Sequence, residues 1–227
     1  TSLLPREKLT AGYVSVQARQ QQARMVGGDW FDYWHNGDKV IIVVGDASGQ
    51  GIGAALFATM AMSALRVEAR EHGGLLEVME HANRSLFLGN RTDSFVTVFF
   101  SVIDLPSMTV SYTNAGHEEP LRLSADKSVE PLTSTSRSLL GIFSRANLDV
   151  QTHKLEPGDR IVMFTDGVID AQNQRGKLYG LRRLNRFVVA NRDAPAEEFI
   201  DALIDNVMEF CGGEPKDDMT VLVCDIE

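Results

Sequence analysis

The chain has 227 residues, of which 44% are hydrophobic and 23% charged, a globular composition that excludes intrinsic disorder. Its 31 acidic residues against 22 basic ones give a net charge of −9. That balance disfavours nucleic acid and anionic membranes as partners, since both bind a basic face.

Cys211 and Cys224 lie near the C-terminus without metal-type spacing. A disulfide scaffold is therefore excluded, and a reducing cytoplasm is the expected setting. A chain of this mass should expose roughly 10,000 Å² when folded against roughly 36,000 Å² unfolded, enough burial for one core. No linker interrupts it, so residues 1–227 read as a single domain. The start, Thr1-Ser2-Leu3-Leu4-Pro5-Arg6, has neither Met nor a signal pattern and reads as an internal cut in a longer chain.

Val14, Val16 and Ala18 alternate with Ser15 and Gln17, the period of a half-buried strand. Asn36-Gly37 is a hairpin-turn signal, and the β-branched run Val40–Val44 after it is a central strand. Ile52–Glu71 reads as a helix, nearly apolar all round in its first half, which predicts that it is sandwiched between other elements. The uncharged stretch Ala47–Leu65 is short for a membrane span and suits a buried helix. Leu75, Met79, Ala82 and Leu86 mark a second helix.

Strands are expected at Phe95–Ile103, Thr109–Thr113, Leu121–Leu123, Leu148–Thr152 and Arg160–Phe164. Leu178, Leu181, Leu184 and Val188 mark a third helix; Phe199, Leu203, Val207 and Phe210 mark a fourth. Met219–Ile226 closes the chain as a strand. Runs of strands segregated from runs of helices indicate an α+β layering and argue against βαβ units.

Four carboxylate-bearing turns stand out: Gly27-Gly28-Asp29, Gly45-Asp46-Ala47-Ser48-Gly49, Phe164-Thr165-Asp166-Gly167 and Asp217-Asp218-Met219-Thr220. Asp46 and Asp166 each follow a buried strand where it reaches the surface. One Asp-Gly is usually only a turn, but four such turns in one small domain indicate an oxygen-rich site for hard divalent cations. Two such ions about 3.5–4 Å apart can share a carboxylate and acidify a water for attack on phosphorus.

Other motifs carry less. Gly49-Gln50-Gly51-Ile52-Gly53-Ala54 matches a dinucleotide fingerprint, but the acidic residues about 20 positions on, Glu68 and Glu71, belong to the same helix and not to a second strand. His117, alone in a turn, reads as structural; His35, His72, His81 and His153 show no spacing of a ligand set. Ser48 lies in no nucleophile elbow, and Met60 and Met62 read as packing.

The ordered motifs resemble the metal-dependent protein phosphatase 2C superfamily, in its bacterial SpoIIE-like branch. The matching stretches are VGGDWFD (Val26–Asp32), VVGDASGQGIGAAL (Val43–Leu56), SFVTVFFSVID (Ser94–Asp104), YTNAGHEEP (Tyr112–Pro120), SLLGI (Ser138–Ile142), LEPGDRIVMFTDGVIDAQN (Leu155–Asn173) and DDMTVLV (Asp217–Val223). The resemblance implies an αββα sandwich, two antiparallel sheets with a helix pair on each outer face. It implies two divalent cations, Mn²⁺ or Mg²⁺. Asp46 would bridge them, with Asp166 and Asp217 completing the shell of the first ion, and Asp29 and the Ala47 carbonyl serving the second. Asp218 would support or substitute for Asp217. Arg24 stands where some relatives carry a phosphate-binding Arg that this branch often lacks. Gln50 replaces a common His or Lys, Ala47 a common Val, and Asp170 the Glu usual after the Thr-Asp-Gly turn; Glu118-Glu119 replaces a Pro-rich pair.

The activity so implied is protein serine/threonine dephosphorylation by direct attack of a metal-bridging water. The substrate would be a phosphorylated STAS-type anti-anti-sigma protein in a partner-switching pathway. The domain would be the C-terminal output of a longer regulator, controlled by an upstream sensor or receiver module. Two rivals are a catalytically silent phosphatase-like adaptor, which would be expected to lose acidic ligands, and a Mg²⁺-dependent hydrolase of small phosphoesters.

Overall fold

Alternating burial along the strands sorts their side chains into three apolar layers, and those layers define the architecture. The computed structural model describes residues 3–90, 92–125, 128–136 and 138–227. One sheet runs in the order β1 (Leu9–Ala11), β2 (Val14–Gln21), β11 (Met219–Ile226), β10 (Arg160–Phe164), β7 (Leu121–Leu123) and β8 (Val129–Pro131). The other runs β3 (Asp29–Asn36), β4 (Lys39–Ala47), β5 (Val96–Asp104), β6 (Thr109–Ala115) and β9 (Gln151–Lys154). Every neighbouring pair in both sheets is antiparallel.

Between the sheets lie Val16, Phe31, Ile42, Phe99, Tyr112, Met163 and Leu222. The outer face of the first sheet (Val162, Phe164, Val221, Val223) is covered by α4 (Leu181–Ala190) and α5 (Ala196–Cys211). The outer face of the second (Trp30, Ile41, Val43, Phe100) is covered by α1 (Ile52–Glu71) and α2 (Leu75–Gly89). The result is the αββα sandwich. It also explains the uninterrupted run Val40–Val44: Val40, Ile42 and Val44 face the middle layer, while Ile41 and Val43 face the helices.

The expected elements are present, and three strands were not foreseen: β1, β3 and β8. In β3, Trp30 and Trp34 face the helices and Phe31 and Tyr33 the middle layer, so the strand is buried on both faces. Its carboxylates disguised it. Asp32 is buried because Arg66 of α1 pairs with it at 2.7 Å. The strand expected at Leu148–Thr152 falls later, as β9.

α1 lies, as expected, between other elements, but they cover only part of its apolar surface. Its buried stripe is Ala54, Phe57, Ala58, Ala61 and Leu65, packed on β3–β5 and α2. Ile52 and Leu56 on its outer face are 72% and 66% exposed, because no described element covers that side. By length and composition alone α1 passes for a membrane span, yet here it is the outer layer of a sandwich.

Candidate metal centre

Strand register brings the acidic turns together. The β3–β4 hairpin pairs Asp29 with Asp46, and β4 in turn pairs Asp46 with Thr97 of β5. In the other sheet β10 ends at Phe164, so Thr165 and Asp166 emerge beside the start of β11, where Asp217 and Asp218 precede Met219. Asp166 also opens the one-turn helix α3 (Asp166–Ile169). One carboxylate oxygen from each of Asp29, Asp46 and Asp166 lies within 4.8 Å of the others.

Two threonines tie the sheets at this point. The hydroxyls of Thr165 and Thr220 both donate to Oδ2 of Asp29, at 2.5 and 2.8 Å, and the Thr220 amide donates to the Thr165 hydroxyl at 3.0 Å. Gln20 Nε2 donates to the Asp29 carbonyl at 2.9 Å. Buried Asp29 is thus held in one orientation by three side chains of the opposite sheet. Position 28 must be glycine: a Cβ there would lie 2.4 Å from the Ala47 carbonyl oxygen and 2.7 Å from Oδ1 of Asp46. Those two oxygens therefore face a common space that only a missing side chain leaves open.

The field in that space is negative. Burial, then Asp166 and Asp217, push the Asp46 carboxyl up to about 7. Burial and Asp46 hold the Asp29 carboxyl well above the usual range, against the two threonine hydrogen bonds, which act the other way. Asp166 is raised by burial, then by Asp217 and Asp170. Crowded carboxylates out of water favour protonation unless a cation joins them, and the donor set here is all oxygen, the chemistry of Mg²⁺ and Mn²⁺.

Asp217 and Asp218 divide their tasks. Asp217 is exposed, lies outside the tight trio, and still raises Asp46 and Asp166. Asp218 is buried: its Oδ1 accepts the Ala23 amide at 2.9 Å, while Oδ2 is without a hydrogen-bond partner. A Cβ at Gly27 would lie 1.3 Å from that Oδ2. Asp218 thereby braces the loop 22–28, whose exposed Arg24 shares a small cleft with Gln50, Gly51, Lys216 and Asp217.

His117 is buried, with Nδ1 2.9 Å from the Thr97 hydroxyl and its turn closed by Asn114. Burial pushes its pKa down to about 4, so it is neutral. The residues that sequence reading passed over are Thr165, Thr220, Gln20 and Glu118. Both threonines lie inside the acidic motifs, where a hydroxyl within two residues of an Asp is the signal. Glu118 is raised by burial, then by Asp166 and Asp170, and so extends the acidic field.

Residues 36–227 match the family model described as Stage II sporulation protein E (SpoIIE). Protein IcfG of Synechocystis is 29% identical over 236 residues, covering 91% of this chain and 37% of its own. Phosphoserine phosphatase RsbU of Bacillus subtilis is 25% identical over 225 residues, covering 98% of this chain and 65% of its own. The chain thus spans under two thirds of the length of either relative. The SiaA-PP2C domain of Pseudomonas aeruginosa superposes with a TM-score of 0.85 over 93% of this chain and 86% of that one, at 20% identity, and shares the fold. The chain therefore belongs to the stage II sporulation protein E (SpoIIE) family and has the fold of the PP2C domain with which it superposes.

Proposed function

We propose that this domain is a metal-dependent protein phosphatase that releases phosphate from phosphoserine or phosphothreonine. The observation that carries the reading is the convergence of Asp29, Asp46 and Asp166 from two sheets, with the Ala47 carbonyl beside them. Asp46, Asp29, Asp166, Asp217 and the Ala47 carbonyl would hold two divalent cations, Mn²⁺ or Mg²⁺. When bound, such ions polarise a phosphoryl oxygen and lower the pKa of water.

The chain's own residues supply position. Thr165 and Thr220 fix Asp29, and Gly28 keeps the space before Asp46 open. Asp218 holds the loop that presents Arg24, the one cation of that loop available to a phosphate. Neither Ser48 nor Cys224 is placed as a nucleophile. Ser48 Oγ accepts the Phe95 amide at 2.9 Å, and burial raises the Cys224 thiol. Attack by water is the reading this leaves.

The relative RsbU, a phosphoserine phosphatase, supports phosphoserine as the group that is cleaved. We place that substrate among phosphorylated STAS-type anti-anti-sigma proteins of a partner-switching pathway. The domain would be the cytoplasmic C-terminal output of a longer regulator with a sensor or receiver module upstream. The test is phosphate release from a serine-phosphorylated STAS protein, a phosphopeptide and a small aryl phosphate, with Mn²⁺ and after chelation. Release from the phosphoprotein should need Mn²⁺ and return on its readdition. Binding without release would make the domain an adaptor; hydrolysis of the small ester alone would make it a small-molecule phosphatase.

A further inference from the structure

The sequence repeats Glu-x₃-His twice around the turn that joins α1 to α2: Glu68 with His72, and Glu77 with His81. Spaced four apart, each pair lies on one helix face, and the antiparallel packing of α1 on α2 turns the two faces toward each other. Spacing along the chain suggests no ligand set for these histidines, but the packing brings two of them together. His72 Nε2 lies 3.1 Å from Oε2 of Glu68, and His81 Nδ1 lies 3.7 Å from the same oxygen. The two imidazole centroids are 4.3 Å apart. One donor atom from each of Glu68, His72 and His81 falls within 4.8 Å of the other two.

Those separations suit one tetrahedral cation. Bonds of about 2.0–2.2 Å to nitrogen and oxygen put neighbouring donors roughly 3.3–3.6 Å apart at the tetrahedral angle, and the two short distances bracket that range. The third, between the two imidazole nitrogens, is within 4.8 Å, and His81 is the more exposed ring. Outside this trio, His72 Nδ1 faces Oε1 of Glu77 at 3.2 Å. A carboxylate on the far nitrogen of a ligating histidine fixes its tautomer and turns the bare nitrogen to the metal. With that proton given to Glu77, Nε2 and the Glu68 oxygen are two electron-pair donors face to face, and a cation between them resolves the repulsion.

We propose that Glu68, His72 and His81 form a second metal site, of zinc type, with Glu77 as its orienting partner. Two imidazoles and one carboxylate favour Zn²⁺ and its borderline neighbours over Mg²⁺, Mn²⁺ or Ca²⁺, which take oxygen. The site is separate from the aspartate cluster. That cluster adjoins the N-terminal end of α1 and this one its C-terminal end, about 30 Å away along 20 residues. A cation here would pin the last turn of α1 to α2 and leave one coordination position to water.

The test uses the Asp46→Asn protein, which disables the aspartate cluster, dialysed to equilibrium against Zn²⁺ and separately loaded with Co²⁺. One Zn²⁺ per chain is expected, with the intense visible absorption of four-coordinate Co²⁺. His81→Ala on that background should reduce bound metal to the level of a non-binding control, and Glu77→Gln should weaken affinity about 10–100-fold. Both changed residues are about half exposed; circular dichroism checks that each variant is folded, and His81→Gln replaces a variant that is not. Absence of Zn²⁺ binding, a stoichiometry unmoved by His81→Ala, or the weak spectrum of six-coordinate Co²⁺ would each overturn the site.

Discussion

The strand pair β10–β11 carries aspartates at both ends, and the two ends treat them in opposite ways. At one end Asp159 accepts Arg122 at 2.7 and 3.0 Å, and Asp225 accepts Arg160 at 2.6 and 2.9 Å. At the other, Asp166, Asp217 and Asp218 meet Asp29 and Asp46 with no Arg or Lys in salt-bridge contact among the described residues. Two buried-carboxylate problems in one sheet thus have different solutions. The first end uses protein cations and is finished when the chain folds. The second leaves its carboxylates crowded and without an ion pair among the described residues, so they favour protonation unless a cation joins them.

The largest expected effect lies at the uncompensated end. Asp46 sits between Asp29 and Asp166, so Asp46→Asn should reduce phosphatase kcat/KM by at least ~10³-fold, about 4 kcal/mol of transition-state stabilisation. Asp170, whose charge reaches Asp166 from the periphery, is the control. Asp170→Asn should cost less than ~10-fold. Steady-state kinetics of both variants in Mn²⁺ checks this; equal losses would erase the distinction between the cluster and its surroundings.

At the compensated end the expected loss is of stability. Arg160 also donates to the Ala194 carbonyl at 2.9 Å and lies over the Phe199 ring at 5.1 Å, so it joins the sheet to the helix layer. Arg160→Leu leaves Asp225 without its partner, which should cost about 3 kcal/mol and lower Tm by roughly 6–12 °C. Below that melting temperature kcat should be unchanged. A thermal scan beside an assay at 25 °C separates the two ends of the strand pair; lost turnover with unchanged Tm would contradict the division.

The same contrast sets how much could be read from the sequence. Asp46 and Asp166 were legible because each ends an apolar run, and Met219–Ile226 was legible because burial on both faces leaves it unbroken. β3 was hidden, since its alternation mixes aromatic residues with Asp29 and Asp32, whose burial depends on partners far along the chain: Thr165 and Thr220 for one, Arg66 for the other. Long-range pairing of that kind has no local period. The outer face of α1 misled for the complementary reason: apolar composition records what a helix can bury, and only the packed fold shows what covers it. His72 and His81 showed no ligand spacing along the chain, and only the packing of α1 on α2 brings them together beside Glu68.

The smallest expected effect is a change in how stability depends on pH when no divalent cation is present. In the folded, metal-free protein Asp46 titrates at about 7, and Asp29 and Asp166 are raised in the same direction, for burial and mutual repulsion. In the unfolded chain they titrate near the ordinary carboxylate value. Between those values the folded state holds protons that the unfolded state has released, so stability falls as pH rises from ~4 to ~7 and stays low above it. For Asp46 the penalty is roughly 2 kcal/mol, after discounting for the solvent that reaches the cluster's open side. Differential scanning calorimetry in chelator should give a higher Tm at pH 5 than at pH 7.5. Asp46→Asn should flatten that slope, and Mn²⁺ should cancel it in the wild type while leaving the variant nearly unmoved. The Arg-paired end supplies the internal comparison. Arg160→Leu should lower Tm at both pH values and preserve the slope, because Asp225 lies outside the cluster that produces it. A wild-type slope equal to that of Asp46→Asn would mean that the aspartates do not repel one another as one group.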